Sequence, residues 1–107
     1  MFNSDTPMEV YLRKPNSERL IAWVSYDNCK MDVCKLIGCY ENEAAVIEIL
    51  PGIIMVFSQL QNNVHNFTLP NGYSIHGTVA FFKRNGNSFA ELSVYQHKEI
   101  DNFINSL

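Results

Sequence analysis

Residues that usually announce chemistry are scarce in this chain. The 107 residues contain three cysteines, Cys29, Cys34 and Cys39, and no CxxC or HxxxH pair. Zinc needs closely spaced ligand pairs, so no metal site is expected. An odd number of widely and evenly spaced cysteines is not a disulfide framework either, and the three are read as small buried hydrophobes kept reduced. Glycine is thin and scattered: Gly38, Gly52, Gly72, Gly77 and Gly86 stand alone, which excludes a glycine-rich phosphate loop. No cofactor is expected.

Long apolar runs are missing as well. The most apolar stretch, Ala44 to Leu60, is broken by Glu48, Pro51, Gly52, Ser58 and Gln59, so no membrane span is read from it. Met1 to Pro7 is polar and carries Asp5, unlike the basic and then apolar start of a signal peptide. A cytoplasmic protein is the expectation. Positive charge is absent from one long stretch. No lysine or arginine lies between Lys35 and Lys83, whereas Glu41, Glu43 and Glu48 do. Nucleic-acid backbones are held by clustered lysine and arginine, so direct nucleic-acid binding is not expected. A basic, nucleic-acid-handling protein would suit such a surface better.

What is present is ordinary for a folded domain. The hydrophobic fraction is 47%, the charged fraction 18% and the net charge -3. One α+β domain over 1–107 is expected, without internal repeats or linkers. Met8 to Arg13 alternates, with Met8, Val10 and Leu12 on one side and Glu9, Tyr11 and Arg13 on the other, as in a half-buried strand. Turn residues at 14–17 join it to a second strand at 20–26, giving an N-terminal hairpin. Trp23, in that second strand, is assigned to the core. A short helix is predicted near 28–37, with Asp27 as its cap, Gly38 as its stop, and Cys29, Val33, Leu36 and Ile37 as its buried stripe. The stretch 41–50 balances helix against strand and is read as strand. The apolar run 53–59 reads as a buried strand, with Pro51-Gly52 as the turn before it.

The second half predicts a three-stranded antiparallel meander at about 64–69, 73–83 and 88–95. Pro70-Asn71-Gly72 suits a three-residue hairpin loop that sets Phe67 opposite Ile75. Asn85-Gly86 suits a two-residue turn, which sets Phe82 opposite Phe89 and His76 opposite Tyr95. From His97 to Leu107, the positions Ile100, Phe103, Ile104 and Leu107 mark one face of an amphipathic helix.

Two candidate sites follow from that register. One is a binding surface of Phe82, Phe89, Lys83 and Arg84 at the hairpin tip, with Glu41 and Glu43 as the acidic part. Its aromatic pair is either exposed for a partner or buried beneath the first helix or the 41–50 segment. The other is a polar row of Asn66, Ser74, His76 and Tyr95, where a histidine beside hydroxyls has the minimum for acid–base work or small-ligand binding. Nothing in the sequence orients that histidine with a carboxylate or strains a nucleophile. The preferred reading is a small non-enzymatic protein-binding module, of the kind that includes inhibitors, immunity proteins and anti-defence proteins. The alternative is a ligand-binding protein or enzyme using the polar row. A homodimer through a sheet edge or the phenylalanine pair fits either.

Overall fold

The computed structural model describes residues 7–60 and 64–107. The N-terminal hairpin forms from β1 (Pro7–Arg13) and β2 (Arg19–Ser25), paired without interruption from Pro7↔Ser25 to Arg13↔Arg19. Its turn contains Asn16 at φ 71°, a left-handed conformation that asparagine accepts with little strain. Then comes α1 (Cys29–Ile37), which ends where Gly38 takes φ 80° and donates its N–H to the carbonyl of Cys34. The residue in the cap position is Asn28, not Asp27, and its side chain makes no cap hydrogen bond. Val33, Cys34 and Ile37 are buried, while Leu36 reaches solvent.

A short 3₁₀ turn at Glu41–Glu43 precedes β3 (Ala44–Leu50) and β4 (Ile53–Ser58), so the 41–50 stretch is mainly strand. Every residue of β4 is buried. β5 (His65–Thr68) and β6 (Ser74–His76) form a separate two-stranded hairpin, followed by β7 (Val79–Asn85), β8 (Ser88–Ala90) and α2 (Val94–Asn105).

The fold is α+β, with an antiparallel main sheet in the order β2-β1-β7-β4-β3. β7 is its middle. One edge of β7 pairs with β4; the other pairs first with β1, through Val79 to Phe81, and then with β8, through Lys83 to Asn85. Beyond the stretch of β1 that pairs with β7, Glu9 donates its N–H to the carboxylate of Glu91 at 2.6 Å, tying that strand to the segment after β8.

Each face of the sheet has its own core. Under α1 lie Met8, Val10, Leu12, Ile54, Val56, Ala80 and Phe82. On the opposite face, Tyr11, Ile53, Met55, Phe57, Val79 and Phe81 pack with Ile100 of α2 and with Phe67 and Ile75 of the small hairpin. A sheet covered on both faces buries both sides of its inner strands. This corrects the half-buried reading of β1: Val10 to Arg13 are all buried.

Three features of the expected meander change. The 73–83 segment is two strands, because Gly77 turns the chain at φ 76° and β6 and β7 enter different sheets. The hairpin turn is Gly86-Asn87, not Asn85-Gly86, so Lys83 pairs with Ala90 and Arg84 with Phe89. The last strand stops at Ala90, and Val94 and Tyr95 open α2 instead of extending it. The cause is a capping box: Ser93 Oγ accepts from Gln96 N–H at 3.1 Å, and Gln96 Oε1 accepts from Ser93 N–H at 2.9 Å. The Phe67↔Ile75 pairing is found as expected. Trp23 is not in the core; it is 61% exposed, because β2 is the sheet's edge.

Candidate functional site

The hairpin tip is built by β7 and β8. Alternation along β7 sends Phe81 to the α2 face and Phe82 to the α1 face. Phe82 is fully buried, and Phe89 lies stacked on it with ring centroids 4.7 Å apart and planes 16° from parallel. The two rings are diagonal neighbours across the strands, not opposite one another. Phe82 therefore presents no ring to solvent. Phe89 is half-buried and is the ring that can be reached.

Two adjoining hollows meet at Phe89. One, of about 240 Å³, is lined by Met8, Tyr26, Cys29, Lys30 and Phe89 among others. The second, of about 360 Å³, is lined by Val46, Ile54, Arg84 and again Lys30 and Phe89. Asn87 and Ser88 of the turn line both. The floor is largely apolar; Lys30 and Arg84 supply cationic groups, and Asp27 adds an acidic one on the wall of the first hollow. Lys83 is exposed on β7 but lines neither hollow, since alternation sends it to the face of Phe81, away from Phe82 and Arg84. Arg84 also pairs with Glu48, Nη1 to Oε1, at 2.7 Å.

Glu41 and Glu43 do not belong to this groove. Glu43 precedes Ala44, which pairs with Ser58 at one end of β4, whereas Lys83 pairs with Ile53 at the other end. The two ends are the first and last residues of the six-residue strand, about 17 Å apart. Glu43 is further engaged in accepting the Tyr40 N–H at 2.9 Å.

The polar row is not assembled as a row. His76 is on β6 beside His65, with ring centroids 5.4 Å apart, while Tyr95 is on α2 and 73% exposed. Ser74 Oγ lies 3.5 Å from Thr68 Oγ1. Asn66 sits in a bulge of β5, and its amide donates to the carbonyls of Arg13 and Gly77 at 3.1 and 2.8 Å. That is a tie between the small hairpin and the main sheet.

A polar cluster that sequence reasoning missed lies between β1, β2 and α2. Asp101 accepts from the Tyr11 hydroxyl, lies 3.4 Å from Arg13 Nη1, and accepts from Arg19 Nη1 at 2.8 Å. His97 stacks on Tyr11, centroids 4.8 Å apart, and its Nε2 is 3.5 Å from Glu9 Oε1. Burial first, then the bond to Asp101 and its charge, push the Tyr11 phenol up to about 12. The phenol thus stays a donor, and the cluster fastens α2 to the sheet. Its two halves, on the first hairpin and on α2, lie 82 to 90 residues apart in sequence, so local patterning could not join them.

Burial also pushes the Cys29 thiol, on the wall of the first hollow, up to about 11, with the Asp32 charge adding to it. Cys39 is likewise raised to about 11, chiefly by burial. Thiols so protonated are poor nucleophiles at neutral pH. Among the described residues, no three His, Cys, Asp or Glu side chains are placed to hold a metal, and no helix is long and apolar enough to cross a membrane. No protein-family model, curated protein or solved structure matches the chain.

Proposed function

We propose that the chain is a small non-enzymatic binding protein, of the inhibitor or immunity type, that works by holding a segment of another protein in the groove across Phe89. The observation that supports this is the pair of adjoining hollows with a largely apolar floor and the lysine and arginine groups of Lys30 and Arg84 on its walls. An aromatic ring in a recess beside cations is the composition from which binding energy is drawn. Phe82, stacked beneath, holds the Phe89 ring in place before any partner arrives, which lowers the cost of ordering it.

Lys30 favours an acidic group on a partner segment that also carries an apolar side chain, because a cation on a rim steers and selects opposite charge; Arg84 is paired with Glu48 and adds little to that selection. The earlier expectation of a basic partner rested on Glu41, Glu43 and Glu48. Glu48 is neutralised by Arg84, and Glu43 caps its own turn, which weakens that expectation.

The test uses a fluorescent acidic peptide bearing one leucine or phenylalanine, and anisotropy as the readout. Lys30→Glu combined with Phe89→Ala should weaken binding by roughly tenfold or more, and added salt should weaken the wild type. Equal binding by the variant, or equal binding of a basic peptide of the same length, would sink the proposal. Phe82 is left untouched, since Phe82→Ala empties a core position and costs about 3–5 kcal/mol on that ground alone.

A further inference from the structure

The two edges of the main sheet are not alike. β3 is guarded: Glu48 is exposed on it, and its pairing is broken by an irregularity between Glu48 and Leu50. Charges and bulges on an edge discourage a further strand. β2 has neither in its interior. Its seven residues pair with β1 in unbroken register, and Leu20 to Val24 contain no charge and no proline. Arg19, at one end, is held by Asp101. Ile21 is 49% exposed and Trp23 61% exposed.

The main chain of β2 shows which groups face outward. Ser25 donates its N–H to Asp32 Oδ2 at 3.0 Å, away from β1. Directions alternate along an antiparallel strand, so the N–H and C=O of Ile21 and Trp23 face the open edge too. Those of Leu20, Ala22 and Val24 face β1.

We infer that β2 is the contact surface between two copies of this chain, joined as an antiparallel β2–β2 pair about a two-fold axis through Ala22. Ala22 is the midpoint of the strand, so this register aligns the two strands end to end and pairs Leu20 to Val24, while the Ser25 N–H stays with Asp32. Ile21 of one copy then lies opposite Trp23 of the other, and each such pair exchanges both main-chain bonds, four in all. The apolar side chains meet on one face as Ile21 with Trp23, and on the other as Leu20 with Val24. Arg19 lies opposite Ser25, so no like charges are opposed. Ala22 meets itself in a non-hydrogen-bonded pair, where α-carbons approach to about 4.5 Å and a small side chain fits. A self-complementary patch of this kind gives a closed dimer.

Sedimentation of the wild-type chain over a range of concentrations should show a monomer–dimer equilibrium. Trp23→Pro removes one outward donor and leaves the ladder to β1 intact, as proline on an edge does. It should weaken self-association by roughly tenfold or more with an unchanged circular dichroism spectrum. Should that variant fold poorly, Ile21→Lys with Trp23→Lys, both at exposed positions, makes the same test. Ala22→Cys should form a disulfide-linked dimer on a non-reducing gel that the wild type does not form, since the α-carbon spacing at the axis falls in the disulfide range. A wild type that stays monomeric at every concentration overturns the inference, and so does a dimer that survives both edge variants. A dimer that Ala22→Cys fails to cross-link overturns the register. All three variants leave the Phe89 groove intact, so peptide binding is read separately.

Discussion

Asp101 serves Tyr11, Arg13 and Arg19 at once, and Arg13 depends on it most. Arg13 is buried, and its Nε has no hydrogen-bond partner among the described residues. Removing the carboxylate leaves a buried guanidinium without its counter-charge, the costly half of a buried ion pair. Asp101→Ala should lower unfolding stability by about 3 kcal/mol, measured by urea denaturation. Tyr11 gives a pH signature. An unfolded tyrosine ionises at 10.0, the folded Tyr11 at about 12. The folded state keeps a proton that the unfolded state has released, so this contribution is whole below pH 10 and is lost as pH rises to 12. The wild type should lose stability through that window faster than Tyr11→Phe, with urea midpoints taken at each pH. A Tyr11→Phe profile that falls just as steeply would show that the phenol is not the group responsible.

The elements form for reasons of unequal reach. α1 and its stop at Gly38, the Pro51-Gly52 turn and the Phe67↔Ile75 register were legible because each depends on residues within one turn or one hairpin. The split at Gly77 was not, because a glycine within a strand pattern signals a bend only when another sheet is there to receive the chain. Trp23 was misassigned because composition cannot say which strand is outermost. The end of β8 was open to reading from the capping-box spacing of Ser93 and Gln96, but the register set by an Asn85-Gly86 turn carried the strand on to Tyr95. Of the residues named from the sequence for the candidate surface, Phe89 and Arg84 line the hollows, and Lys83 does not. Lys30 was not legible, since only the packing of α1 beside β8 brings it there. Ser93→Ala should reduce stability by about 1 kcal/mol in thermal or urea unfolding, the usual cost of losing a serine cap. No change would mean that the strand end is set by packing alone.

At the scale of the molecule, β7 is the strand on which the rest converge. It contributes to both cores through Phe81 and Phe82, and it alone connects the β1–β2 hairpin to the β3–β4 hairpin within the main sheet. A chain cut after Thr78 should keep at most three separate hairpins, β1–β2, β3–β4 and β5–β6, and show no cooperative unfolding transition, whereas the intact chain should show one. A cooperative transition in the shortened chain would mean that the hairpins associate without their central strand. That β7 follows both hairpins that it joins also bears on birth. A ribosome makes both hairpins well before it makes the strand that joins them, and residues still inside its exit tunnel cannot pair. Until Val79–Asn85 emerges, the inner borders of β1 and β4 are two open, apolar templates on one nascent chain, available to each other or to neighbouring chains. The main sheet closes only once β7 has emerged, so the hazard of mispairing between the two hairpins falls during translation, before that strand is in place.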